Sequence, residues 1–152
     1  MAGGPGDTLR LDAFLPYQLS VASNRVSEAI ATTYQALFGL RIPEWRLVAV
    51  LAERPGLSQQ ALGRATRMDK VTVSRAAIGL ADRGLIERAA DPVDKRAARL
   101  ALTPAGHSLY GQVTPKALAM EATLFEGFSA GERGALRDML ARLEAAAARL
   151  EG

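Results

Sequence analysis

The sequence predicts a mostly α-helical chain carrying one small β-hairpin, and three observations carry that prediction. Apolar residues recur at three- and four-residue steps near both ends of the chain. Residues 58–75 hold two short helical patterns joined by a break of a few residues. After them, Leu85-Ile86 and Leu100-Ala101-Leu102 flank a charged tip bearing Pro92, as the strands of a hairpin would. A helix, a turn, a second helix and a basic hairpin in that order form a winged helix-turn-helix, a shape that holds duplex DNA.

The elements follow in chain order. Met1-Ala2-Gly3-Gly4-Pro5-Gly6-Asp7 reads as part of a flexible leader over residues 1–10, with no basic start and apolar run of a secretory signal. From Asp12 to Leu37, Leu15, Leu19, Ala22, Val26, Ala29, Ile30, Thr33 and Leu37 mark one face of a long helix, with Pro16 tolerated in its first turn. Gly39 stops it. A second helix runs from Pro43 to about Glu53, with Trp45, Val48 and Leu51 or Leu47 inward, and Pro55-Gly56 ends it. Ser58 and Asp69 are N-caps of the third and fourth helices. On the fourth, Val73, Ala77 and Leu80 share the core face, Val71, Arg75 and Asp82 project the other way, and Gly84 supplies a left-handed cap. Past the hairpin, Thr103-Pro104 opens another long helix, which Thr114-Pro115 should kink or interrupt. Ser129-Ala130-Gly131-Glu132 fits a capping box, and Leu136, Leu140, Leu143, Ala147 and Leu150 trace a heptad-like stripe after it.

At 152 residues and 49% hydrophobic, the chain suits one well-buried core. Amphipathic helices at both ends offer more apolar face than a sixty-residue winged helix can cover, which a symmetric dimer would resolve. The alternative is a monomeric helical lobe packed on itself. Residues 41–100 carry twelve Lys and Arg against seven Asp and Glu, while the rest of the chain carries seven against nine. The basic excess therefore falls on the segment expected to face phosphates. There is no cysteine, which excludes disulfides, thiol sensing and Cys-based metal sites. A Cys-His enzyme site is excluded with it, and no G-x-S-x-G elbow, P-loop, dinucleotide fingerprint or H-E-x-x-H pair occurs, so the chain is expected not to be an enzyme and to need no cofactor or metal. Apolar runs stay far below the roughly 20 residues of a membrane span, which leads us to expect a cytoplasmic protein with no membrane partner.

The run Gly84-Leu85-Ile86-Glu87-Arg88, then Asp91-Pro92-Val93-Asp94-Lys95-Arg96, then Leu100-Ala101-Leu102-Thr103-Pro104-Ala105-Gly106 resembles the wing signature of the MarR (multiple antibiotic resistance regulator) family, G-L-[IV]-x-R, D-x-x-D-x-R and L-x-L-T-x-x-G. The resemblance covers about residues 10–150. It implies a single MarR-type domain over 11–152, with a winged helix-turn-helix lobe at about 41–103 and dimerisation helices at about 11–38 and 104–151. It also implies a homodimer built on the first, fifth and sixth helices, binding a palindromic operator in double-stranded DNA. Many such relatives are repressors that release DNA when a small aromatic or other anionic ligand fills a cleft between the lobes. This chain departs from the family at Gly63, where Ala is usual, and at Pro115, in a helix that is usually continuous.

On this reading Lys70, Val71, Thr72, Ser74 and Arg75 lie on the part of the fourth helix that enters the major groove. Arg75 can read guanine through two hydrogen bonds and Val71 can touch a thymine methyl; the competing readings are a surface ion pair with Asp82 for Arg75 and burial against the wing for Val71. Ser58, Gln59 and Gln60 open the third helix, where amides and short polar side chains suit phosphate. Arg96 is expected to enter the minor groove and Lys95 and Arg99 to meet phosphate, unless Arg99 pairs with Asp91 or Asp94. Asp94 is expected to structure the tip. Phe14, Tyr17, Asn24, Trp45, Arg46 and His107 sit on helices that line the family's cleft, where an aromatic wall with one or two cations would suit an aromatic acid or an acyl-CoA thioester. The bland reading has Trp45 in core or dimer packing and His107 as a surface residue. Two alternatives stand beside a ligand-released repressor: a DNA-binding dimer with no small-molecule switch, and a winged helix used to bind protein.

Overall fold

The computed structural model describes residues 7–94 and 96–152; Lys95, expected to meet phosphate, and residues 1–6 lie outside the described residues. A one-turn 3-10 helix (Leu11–Ala13) precedes α1 (Leu15–Phe38), α2 (Ile42–Glu53), α3 (Gln59–Thr66), α4 (Lys70–Asp82), β1 (Ile86–Ala90), β2 (Ala98–Leu102), α5 (Pro104–Leu124) and α6 (Ala130–Glu151). The chain forms two compact units, residues 1–111 and 112–152.

In the first unit, α2, α3, α4 and the hairpin close around one core. Leu47, Val48 and Leu51 of α2 meet Leu62 of α3, Val73, Ala77 and Leu80 of α4, and Ile86, Leu100 and Leu102 of the strands, all buried. Full burial of each such Leu, Ile or Val contributes roughly 1.5–3 kcal/mol. Trp45, expected inward with them, is half-buried at the edge of this core.

Both helices of the central pair are capped as their sequences require. The Ser58 hydroxyl accepts from the Ala61 amide at 3.1 Å, and the Asp69 carboxylate accepts from the Thr72 amide at 2.8 Å. Between them the turn passes through Arg67 in the left-handed region, φ 59°, a conformation few side chains favour. Gly63 lets that turn close: a Cβ there would stand 3.3 Å from the Met68 carbonyl oxygen.

The hairpin is antiparallel, with Ile86 opposite Leu102 and Ala90 opposite Ala98. Leu57 adds a third short strand segment. The Leu100 amide donates to the Leu57 carbonyl at 2.8 Å, and the amides of Gly56 and Leu57 donate to the Leu100 carbonyl at 3.0 and 3.2 Å. At the base, Thr103 caps α5 by accepting from the Gly106 amide at 3.1 Å, while its hydroxyl donates to the Gly84 carbonyl at 2.6 Å and its amide to the Leu85 carbonyl at 3.1 Å.

Two expectations are corrected here. The first helix starts at Leu15, after the 3-10 turn, and not at Asp12. Its apolar stripe lies open, in keeping with the excess of apolar face in the sequence: Leu15 is 77% and Leu37 56% exposed, and among its described residues only Tyr34 is buried. The second correction concerns Pro115, which does not interrupt α5; the helix runs through it from Pro104 to Leu124. Proline there removes one hydrogen bond, to the carbonyl of Gly111 four residues back, and Gly111 is solvent-exposed, so water can serve that carbonyl.

In the second unit, α6 begins with a full capping box: Ser129 Oγ accepts from the Glu132 amide at 3.0 Å, and Glu132 Oε1 accepts from the Ser129 amide at 2.8 Å. Phe125 and Phe128 pack together just before it, ring centroids 5.5 Å apart. Along α6, Leu140 and Leu143 are about half exposed.

Candidate nucleic-acid interface

α4 presents an outward face made of Lys70, Val71, Arg75 and Ile78, all exposed. Val71 is 58% exposed, which corrects the alternative that buried it against the wing. Among the described residues no ion pair joins Arg75 to Asp82, so the Arg75 guanidinium keeps its planar donor edge for other partners. Ser74 is half-buried on the flank. Thr72 is more constrained than expected: its hydroxyl donates to Asp69 Oδ2 at 3.0 Å while its amide donates to Oδ1. These bonds hold the Asp69 carboxyl below its ordinary pKa. With its proton so held, Thr72 offers acceptor lone pairs, which suit a base amine and not a phosphate.

Ser58 shows the opposite arrangement. Its oxygen accepts from Ala61, leaving the hydroxyl proton free to donate to a phosphate at the start of α3, beside half-buried Gln59 and exposed Gln60.

The wing tip is organised chiefly by Asp91. Its carboxylate accepts from the amides of Val93 and Asp94 at 2.8 and 3.1 Å and from Arg99 Nε at 3.0 Å, and these bonds lower its pKa to about 2. Asp94 is the second anchor, accepting from the Arg96 amide at 3.0 Å with Arg96 Nε 3.7 Å away. Arg99 is therefore a paired strand residue, its guanidinium side chain still 47% exposed, whereas the Arg96 side chain is 95% exposed. Sequence reasoning named Asp94 and passed over Asp91 as an anchor; the signal lay in Asp91-Pro92, an acidic residue opening a Pro-bearing turn. It also passed over Ile78, seven residues beyond Val71 on the same helix face and 51% exposed.

The six residues expected around a ligand do not meet within one chain. Trp45 stacks on Tyr110 with ring centroids 5.8 Å apart and meets Tyr34 edge-on at 5.7 Å. Burial raises the Tyr34 hydroxyl pKa. Tyr17 precedes Tyr34 by 17 residues on the same helix, roughly 26 Å at 1.5 Å per residue. Phe14 lies further still and Asn24 part-way. Arg46 and His107 are exposed. An open groove of about 710 Å³ between α1 and α2 is lined by Thr32, Gln35, Ala36, Leu40, Ile42 and Pro43 among others, and by none of the six. Among the described residues no group of His, Cys, Asp or Glu is placed to hold a metal ion, and no helix is long and apolar enough to cross a membrane.

A family model described as the MarR family matches residues 38–97, the span from the end of α1 to the wing tip. A proposed transcriptional regulatory protein for the hcr operon of Thauera aromatica is 30% identical over 122 residues, covering 80% of this chain and 71% of that one. Among solved structures, a MarR/EmrR family transcriptional regulator from Acinetobacter sp. ADP1 superposes with a TM-score of 0.85 at 28% identity, over 93% of this chain and 99% of that one. CouR from Rhodococcus jostii RHA1, bound to p-coumaroyl-CoA, shares the fold at a TM-score of 0.78 and 23% identity, over 90% and 95% of the two chains.

Proposed function

This chain belongs to the MarR family of transcriptional regulators, and from that premise we propose that it is a cytoplasmic homodimeric repressor that binds a palindromic operator and leaves it when a small aromatic acid or its CoA thioester binds. One observation carries the DNA-binding part: the outward face of α4 holds Lys70, Val71 and Arg75 exposed, with no ion pair on Arg75 among the described residues, in the same unit as the wing-tip Arg96. Arg75 and Val71 read bases, Thr72 and Ser74 flank them, and Ser58, Gln59, Gln60, Lys70, Lys95 and Arg99 meet phosphate. Arg96 enters the minor groove, with Asp91 and Asp94 holding the tip that carries it.

The dimer part is supported by apolar surface left open on α1 and α6. In a two-fold pair, Phe14, Tyr17 and Asn24 of one copy can complete a ligand wall with Trp45, Arg46 and His107 of the other, which a single chain cannot do. That CouR holds p-coumaroyl-CoA supports an aromatic acyl ligand.

Fluorescence anisotropy titration of the chain against its own upstream intergenic DNA and a scrambled duplex, at two salt concentrations, tests the DNA reading. Tight binding to the native duplex alone, falling steeply with salt, is expected. Equal affinity for both duplexes would refute sequence-specific regulation. Trp45 is the single tryptophan, so quenching of its emission by p-coumarate, 4-hydroxybenzoate or their CoA thioesters, together with release of the native duplex, tests the switch.

A further inference from the structure

The geometry points to Arg83 as a positioning residue for DNA recognition: by fastening the end of α4 to the end of α1, it sets the attitude of the reading helix without touching DNA. The inference rests on the DNA-binding reading above and adds a residue that reading does not contain.

Arg83 follows the last residue of α4. Its Nη1 donates to the Gly39 carbonyl at 3.1 Å and its Nη2 to the Phe38 carbonyl at 3.0 Å, 44 and 45 residues away in sequence. Two bonds from one planar guanidinium fix an orientation as well as a distance. The acceptors are well chosen. Gly39 turns through the left-handed region, φ 62°, and the amides of Gly39 and Leu40 already serve the carbonyls of Gln35 and Tyr34. The Phe38 and Gly39 carbonyls are left for a side chain, at the negative end of the α1 macrodipole, where a cation is favoured.

A second contact joins the same two places. Glu44, 5% exposed, accepts from the Arg41 amide at 2.8 Å and lies so close to Gly79 of α4 that a Cβ there would stand 2.7 Å from Glu44 Oε2. The last turns of α4 thus rest on the α1–α2 turn through a bare glycine backbone and a guanidinium clamp. Arg83 itself lies twelve residues beyond Val71, about 120° around the helix from the face that carries Val71, Arg75 and Ile78. It is aimed at α1, whose open apolar stripe is the proposed contact with the second copy. The clamp therefore couples the surface that joins two copies to the surface that reads bases, and so sets the separation of the two reading helices.

The test uses the full chain with Arg83→Gln and Arg83→Lys, the native upstream duplex and a scrambled duplex. Arg83→Gln is expected to weaken native binding at least tenfold, with scrambled binding and the dependence of log K on log salt unchanged, because no phosphate contact is lost. Arg83→Lys, whose ammonium puts its donors on a single nitrogen and lacks the planar fork that reaches both carbonyls, is expected to lose about threefold. With Ile78→Cys as the only thiol, a spin label on each copy reports the distance between reading helices; Arg83→Gln should broaden that distribution in the absence of DNA. Melting temperature and dimer mass establish that each variant folds, and if Arg83→Gln does not, Arg83→Lys carries the comparison. Native affinity within twofold of wild type in a folded variant overturns the inference. So does equal loss on both duplexes with a shallower salt slope, which would make Arg83 a phosphate contact, or an unchanged distance distribution. If the wild-type chain itself fails to discriminate the two duplexes, the DNA-binding reading falls, and the label distances alone decide the clamp.

Discussion

Gly106→Ala is the substitution whose cost the structure defines most sharply. A Cβ on Gly106 would sit 2.1 Å from the Leu85 carbonyl oxygen and 3.2 Å from Leu102 Cβ and Cδ2. Ordinary contact begins at 3.4 Å, so α5 and the strand base must part by roughly 1.3 Å. The obstacle is backbone, which no rotamer change relieves. Parting them breaks the Thr103 amide bond to Leu85 and the Thr103 hydroxyl bond to Gly84, at 3.1 and 2.6 Å. Two such bonds are worth about 1 kcal/mol each, and overpacking adds about 1–3 kcal/mol. Against this, Ala gains about 1 kcal/mol over Gly in a helix. The net loss is roughly 2–4 kcal/mol, and at about 2–4 °C per kcal/mol for a chain of this size the melting temperature should drop by about 4–16 °C. Thermal and urea unfolding followed by circular dichroism at 222 nm measure it. Gly111→Ala in the same helix is the control: nothing lies within 4 Å of its Cβ position, so it should be neutral or stabilising. A Gly106→Ala variant as stable as Gly111→Ala would refute the argument that this glycine is required for close approach.

Other predictions follow from the interface. Arg75→Ala should cost about 1–3 kcal/mol and relax preference at one operator position, whereas Arg96→Ala should weaken all sequences alike and lower the salt slope by about 1, as read by anisotropy on a mismatch series. Asp91 has a folded pKa of about 2 against an ordinary 3.8, so the stability it lends the tip is fully present above pH 3.8 and is lost as pH falls through 2; carboxyl carbon NMR should place its midpoint near 2, and a midpoint at the ordinary value would mean that the three bonds to it do not persist in solution. Leu140→Glu or Leu143→Glu, on the open stripe of α6, should convert the dimer to a folded monomer in sedimentation velocity; an unchanged mass would move the interface elsewhere.

Local chemistry was legible in the sequence where the partners lie within a few residues. Ser58, Asp69 and Ser129 cap the helices they were expected to cap, because an N-cap bond spans three residues. The inward face of α4 was legible from helical spacing, and the wing from its Pro-bearing tip between apolar ends. What stayed hidden is long-range. Nothing local ties Arg83 to Phe38 and Gly39 across 45 residues, or shows that Gly79 makes room for Glu44. Asp91 and Asp94 look alike in a short charged run, and only the folded turn shows Asp91 gathering two amides and a guanidinium. The six ligand candidates share helices and not a place: 17 residues of α1 separate Tyr17 from Tyr34, the ring that meets Trp45.

β2 is paired on both edges: Leu100 bonds Leu57 through its own amide and carbonyl across one edge, and β2 pairs with β1 across the other. A strand gripped on two edges cannot slide by one residue without breaking both ladders and turning its side chains inside out. The hairpin is thus a cantilever, anchored at Leu100 and at Thr103 and free at the tip. Its strands are five residues long, roughly 17 Å, so a tilt of about 5° at the root carries Arg96 through about 1.5 Å, half the length of a hydrogen bond. Substitutions at the root, far from any nucleotide, should therefore change where the tip meets the minor groove.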